Sequence, residues 1–132
     1  MQAFDLQTIQ DLEFDTLINW LEEYAIGGTS RKRIQELKPS NKFDQITKDL
    51  NTVNELLTIR TTGESFPALD FEELETELRI LPVKNSVLQL EGYIRISVAS
   101  DLINRLLYFF DKREKDYPLL SDLFKEAYFT NE

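Results

Sequence analysis

At 132 residues, with 42% hydrophobic content, nine Phe and one Trp, the chain is long and apolar enough to build one self-sufficient core. It has no Cys and no His, which excludes thiolate nucleophiles, disulfides, imidazole bases and most zinc or haem ligation, and leaves carboxylate, lysine or hydroxyl chemistry. Its net charge of −9 opposes nucleic-acid binding by the chain as a whole, because such affinity comes from Lys and Arg neutralising phosphates.

Four Gly and four Pro leave little room for linkers, so a single helical domain over residues 1–132 is expected. The opening "MQAFDLQTIQDLEFD" has no basic leader, and eighteen uncharged apolar residues never occur in succession; no membrane partner is expected and the chain reads as cytoplasmic. Charge is unevenly spread. Residues 1–26 carry six acids and no base, whereas residues 27–60 carry seven bases against four acids.

The first predicted helix places Phe14, Leu17, Ile18, Leu21, Tyr24 and Ala25 on one face, with Asp15, Asn19, Glu22 and Glu23 opposite. Gly27 and Gly28 end it, and Thr29 or Ser30 caps a short second helix that buries Ile34 and Leu37 and stops before Pro39. A third helix spaces Phe43, Ile46, Leu50, Val53 and Leu57 by alternating threes and fours, the rhythm of helices packing at shallow angles in a bundle.

After "TTGESFPALD", Asp70 and Glu73 open a fourth helix that uses Phe71, Leu74, Leu78 and Leu81 and ends at Pro82. Ser86 and Gln89 form a capping box for the longest helix, Val87 to Lys112, a spine with two apolar stripes: Leu90, Ile94, Val98 and Leu102, then Ile96, Ile103, Leu107 and Phe110. Tyr117-Pro118 starts a last helix with Leu119, Leu120, Leu123, Phe124 and Tyr128 facing inward, and the abrupt ending "YFTNE" reads as a boundary inside a longer chain. The expected fold is all-α, an irregular bundle of five to six helices around one long spine.

Three groups invite a chemical reading. "AIGGTSRKRIQELKP" resembles a phosphate loop, but Gly27 and Gly28 are adjacent, no lysine-hydroxyl pair follows them, and the preceding segment is helical, so the Walker pattern fails. Arg31, Lys32 and Arg33 then fall in a helix's first turn, where positive charge opposes the dipole; a solvated basic turn facing the acidic first helix is the favoured reading and a nucleic-acid backbone contact the alternative. The acidic runs Asp11-Glu13-Asp15 and Glu72-Glu73-Glu75-Glu77 lack any group that would tune them, and Glu72, Glu73 and Glu77 read as the wet face of the fourth helix. Tyr108, Phe109 and Phe110 read as core and not as a stacking platform. Catalytic, cofactor and metal residues are therefore expected to be absent from this segment.

The runs "DLEFDTLINWLEEYA" (11–25) and "IQELKPSNKFDQITKDLNTVNELL" (34–57), Phe66-Pro67 and "SVLQLEGYIRI" (86–96) together resemble the N-terminus of the bacterial MutS paralogue with a C-terminal Smr nuclease domain. Members of that family open on an L-E-F-D-x-I-type helix, matched here by Leu12, Glu13, Phe14, Asp15 and Ile18. One departure is Gly28-Thr29-Ser30-Arg31-Lys32-Arg33, where the family commonly has a serine-rich turn and Gly-Lys-Glu; no ligand role carries over there. The resemblance implies an N-terminal piece, the helical core or lever, of a dimeric DNA-binding ATPase with a nuclease domain that suppresses recombination, with ribosome rescue in some members. Its partners would be the ATPase and coiled-coil clamp of the same chain, a second copy, and DNA or the ribosome. ATP and Mg²⁺ would bind outside these residues. The other reading is a free-standing helical protein-protein interaction module that uses the second apolar stripe of the spine.

Overall fold

Glu13 adopts a left-handed backbone (φ 53°) and so separates two helices, α1 (Leu6–Asp11) and α2 (Phe14–Glu23). In the computed structural model, which describes residues 6–128, they are followed by α3 (Gly27–Gln35), α4 (Phe43–Thr61), α5 (Glu75–Ile80), α6 (Leu90–Asp111) and α7 (Pro118–Asp122). No strand occurs among the described residues, so the all-α expectation holds, with α6 as the spine: its 22 residues span about 33 Å. The chain divides into two compact units, residues 1–47 and 48–132.

In the first unit α2 packs on both α1 and α3. No described residue there is fully buried. Phe14, Ile18, Ala25 and Ile34 are half-buried, whereas Leu17, Trp20, Leu21, Tyr24 and Leu37 are exposed, so only part of the predicted apolar face of α2 is covered. The glycines do not stand between two helices as expected. Gly27 takes φ 81°, open to glycine at no steric cost, and the chain passes straight into α3, whose N-cap is Ile26 with no side-chain hydrogen bond. Starting the helix at Gly27 moves Lys32 and Arg33 from the predicted first turn to the last turn, where they complement the negative end of the dipole.

The second unit is organised around Ile59, which is 0% exposed, together with Leu102, Leu106, Phe109, Phe110, Tyr117 and Leu120; Leu56, Phe66 and Phe124 pack against them half-buried. On α4 the inward residues are thus Leu56 and Ile59, while the predicted stripe of Leu50, Val53 and Leu57 is exposed. At 3.6 residues per turn the centres of these two sets lie about 120° apart around the helix, so turning one to the core leaves the other largely in solvent.

The choice is enforced by Glu55, half-buried on the same side of α4, whose Oε1 and Oε2 accept the backbone N–H groups of Leu119 at 3.1 Å and Leu120 at 2.8 Å. A side chain from another helix thereby satisfies two of the donors that every helix N-terminus leaves open, with Pro118 at the start of α7 lacking an N–H of its own. Replacing Glu55 with alanine is expected to lower stability by about 1–2 kcal/mol, the usual range for a lost cap, and Glu55→Gln by less because an acceptor remains. Urea midpoints of the two variants check this; an unchanged midpoint for Glu55→Ala would refute the cap.

Both flanking helices depart from expectation. The helix predicted from Asp70 is only Glu75–Ile80, and its face is turned: Glu77 is 3% exposed, while Leu78 and Leu81 are in solvent. Ser86 does not build a capping box, because its Oγ donates to the Ile80 carbonyl at 3.0 Å, and α6 starts at Leu90 with Gln89 as an N-cap making no side-chain bond. Along α6 the stripe Leu90, Ile94, Val98 is exposed and only Leu102 of that set is buried; of the other stripe, Leu107 and Phe110 are buried, Ile96 is half-buried and Ile103 exposed. The last helix is five residues, with Tyr117, Leu120 and Phe124 turned to the core and Leu123 and Tyr128 exposed.

Candidate functional site

Two carboxylates of the second unit are held by arginines from distant points of the chain. Glu77 lies against α6 beside Gly92, where an added Cβ would stand 3.2 Å from both the Cγ and Oε1 of Glu77, so the missing side chain is what admits the carboxylate. Arg95, one turn further on, donates to Glu77 Oε1 through Nε at 3.0 Å and through Nη2. This pairing explains the turned face of α5: a buried carboxylate needs a charged donor, and the position predicted to be wet is the one Arg95 reaches. The Arg95 guanidinium, with Glu77's own backbone N–H, holds the Glu77 carboxyl below its usual value.

The second pair sits where the segment after α4 meets the end of α6. Glu64 Oε1 accepts the Tyr117 hydroxyl at 2.5 Å and Oε2 accepts Arg113 Nε, while the Arg113 guanidinium also lies 4.1 Å from the centre of the Phe109 ring. Next to it runs an open cleft of about 630 Å³ whose walls include Phe66, Pro67, Asn104, Arg105, Tyr108 and Arg113. Arg105 in that wall is paired with Asp101 at 3.0 Å. The Tyr117 hydroxyl, then Arg113, keeps the Glu64 carboxyl below its usual value, and the Glu64 carboxylate pushes the Tyr117 hydroxyl above its own.

These groups make stability depend on pH at both ends. Glu64 and Glu77 are lowered in the folded state, so their contribution is present above the unfolded value of 4.5 and is lost as pH falls through the folded values. Tyr117 is raised, so its contribution is present below the ordinary 10.0 and is lost as pH rises through the folded value. Urea midpoints taken across pH are expected to show a plateau with an acid and an alkaline limb, and Glu64→Gln is expected to shrink both. A variant whose alkaline limb is unchanged would show that Tyr117 is not held by Glu64.

Both carboxylates are engaged by donors of the chain itself, and this arrangement suits them to fastening distant segments together. Among the described residues no three carboxylates converge as a cation site, and no helix is long and apolar enough to cross a membrane. Arg31, Lys32 and Arg33 lie exposed on α3 of the first unit, and none of the ion pairs between described residues involves them. The acidic α2 that was expected to face them does not pair with them. Sequence reading had assigned no role to Glu55, Glu64, Arg95 or Arg113. Their partners are 18 to 65 positions away, beyond any local spacing rule.

Comparison with known proteins adds the family context. An endonuclease MutS2 from Alkaliphilus oremlandii is 24% identical over 119 residues, which is 89% of this chain and 15% of the relative. The chain is similar to MutS2. A second endonuclease MutS2, from Lactobacillus johnsonii, is 28% identical over 76 residues, 58% of this chain and 10% of the relative. No family model and no solved structure matches. The chain thus spans 10 to 15% of the length of these MutS2 relatives, and at this identity they support a MutS2-related origin without assigning a role to this segment.

Proposed function

We propose that the chain is a core or lever segment of a MutS-family, DNA-binding ATPase, a helical element without catalysis of its own that couples the ATPase to a coiled-coil clamp. The observation that carries this reading is the incomplete covering of the second unit: α4 and α6 each bury one side in the core and leave further apolar residues at helical spacing, Leu50, Val53 and Leu57 on one, Leu90, Ile94 and Val98 on the other, in solvent. Isolated apolar residues on a surface are ordinary, whereas apolar stripes at helical spacing call for another layer. The similarity to MutS2 along 89% of the chain supplies the source of that layer, since the relatives continue far beyond it.

In this reading the remainder of a longer chain provides the ATPase, which binds ATP and Mg²⁺, and the clamp. The whole works as a cytoplasmic homodimer on DNA or the ribosome in recombination suppression or ribosome rescue, and a nuclease domain lies elsewhere. Reading the coding sequence beyond Glu132 tests it: a long heptad region followed by G-x-x-x-x-G-K-[ST] supports the lever. A stop codon directly after Glu132 overturns it in favour of a free-standing interaction module using the same stripes.

A further inference from the structure

We infer that the exposed apolar stripe of α2, formed by Leu17, Trp20, Leu21 and Tyr24, is a docking site for a basic amphipathic helix of a partner protein. The spacing i, i+3, i+4, i+7 sets these four side chains on one face of the helix, and all four are exposed, Trp20 to 61% and Tyr24 to 83%. α2 packs on α1 and α3, yet the residues half-buried on it by then are Phe14, Ile18 and Ala25, so the stripe is what those contacts leave uncovered. No described residue of this unit is fully buried, in contrast to the second unit, whose exposed stripes lie outside a core of its own. Two aromatic rings among four residues is also the composition of an interface hot spot, where Trp and Tyr bring large contact area at little rotamer cost.

Charge selects the occupant. From Asp11 to Ile26 the chain carries the acids Asp11, Glu13, Asp15, Glu22 and Glu23 and no base; Glu23 stands one turn beyond Trp20 at the edge of the stripe, and Glu13 directly precedes the helix. The stripes of the second unit lack this bias, since Lys48, Asp49, Glu55 and Arg60 accompany Leu50, Val53 and Leu57, and Glu91 and Arg95 accompany Leu90, Ile94 and Val98. The bases of α3 do not pair with these acids: no ion pair between described residues joins α3 to α2. A second copy seated on the stripe would set the same carboxylates against one another, and an anionic lipid surface would be repelled by them. A helix whose apolar face is edged with Lys and Arg packs its ridge along the stripe and meets the acids with its flanks, and the net charge of −9 steers it in. The site is independent of the lever reading: it uses other residues, in the other unit.

Trp20 is the one tryptophan of the chain and reports on the stripe directly. The 132-residue chain is titrated with a tryptophan-free peptide of Leu and Lys, about 18 residues or five helical turns long, patterned as an amphipathic helix. Trp20 emission is expected to move to shorter wavelength, and its quenching by acrylamide to fall, as the indole leaves water. Tyr24→Ala and Leu17→Ala are each expected to weaken binding about tenfold, the size of a hot-spot truncation. Glu22→Gln with Glu23→Gln is expected to weaken it about threefold and to flatten its salt dependence, as exposed charge pairs do. Tyr93→Ala, on the exposed face of α6, leaves it unchanged. Circular dichroism confirms that each variant keeps its helices. The proposal is overturned if the peptide leaves Trp20 emission unmoved, if the same peptide with Glu in place of Lys or with its residues scrambled binds as tightly, or if Tyr93→Ala weakens binding as much as Tyr24→Ala. It is equally overturned if Trp20 in the free chain is already shielded from acrylamide, which would assign the cover to the chain itself, or if its emission shifts with protein concentration alone, which would assign it to a second copy.

Discussion

Replacing Phe110 with alanine is expected to lower the stability of the unit spanning residues 48–132 by about 3–5 kcal/mol, the range for truncating a buried aromatic ring. Phe110 is 3% exposed and touches three other rings: edge-on to Phe109 at 5.2 Å between centroids and to Phe66 at 6.2 Å, and stacked on Phe124 at 5.0 Å. Truncation forfeits the transfer of the ring from water and leaves its partners facing a void, because Phe66 and Phe124 come from segments that cannot both collapse onto one point of α6. Domains of this size have only about 5–15 kcal/mol in total, so the change removes a large fraction, and at about 4–8 °C per kcal/mol the melting temperature should fall by at least 12 °C. Tyr93→Ala, on the exposed side of the same helix, is expected to stay within about 0.5 kcal/mol. Thermal unfolding followed by circular dichroism reads both, and equal shifts for the two variants would show that the aromatic cluster is not the core.

The second large effect is expected at Gly92. A Cβ there would stand 3.2 Å from Glu77 and 3.3 Å from Leu88 Cδ2, tight enough that a neighbour must move. Gly92→Ala sets this crowding against the gain in helix propensity of up to about 1 kcal/mol, and the two should nearly cancel. Gly92→Val adds two methyl groups where the Glu77 carboxylate sits, and overpacking of this kind costs about 1–3 kcal/mol. The distinguishing sign is pH. If valine displaces Glu77 from Arg95, the part of the acid limb due to Glu77 should disappear along with the stability, since a displaced carboxylate regains its ordinary value. A destabilised Gly92→Val protein with an unaltered acid limb would show that the ion pair survives and that crowding against Leu88 is the cause.

Glu77 also shows where reading from sequence stops. Its neighbours Glu72, Glu73 and Glu75 share its charge, and nothing local separates the one that goes inside from those that stay out. The difference is Arg95, 18 positions on, and a glycine at position 92 that makes room. Gly92 could have been noticed as an unfavourable residue inside a strong helix pattern, which is a recognisable sign of close approach. The basic run at 31–33 was legible as a cluster. Its place at the end of α3 instead of the start was not, because Gly27 extended the helix backward.

The amino-acid sequence by itself determined which chemistries are absent, that every regular element is helical among the described residues, and where several helices lie: α2 from Phe14, α6 close to the predicted spine, α7 starting at Pro118. These follow from composition, from the 3.6-residue period and from proline and glycine, all of which act within a few residues. Tertiary structure alone decided which of two apolar faces each helix buries. On α4 it chose Leu56 and Ile59 over Leu50, Val53 and Leu57, and on α6 it left Leu90, Ile94 and Val98 outside. Periodicity identifies a stripe but not its partner. When a chain carries more apolar stripes than one core can cover, the choice falls to long-range fastenings such as Glu55 on α7 and Glu64 on Arg113 and Tyr117, which exist only once distant segments have met.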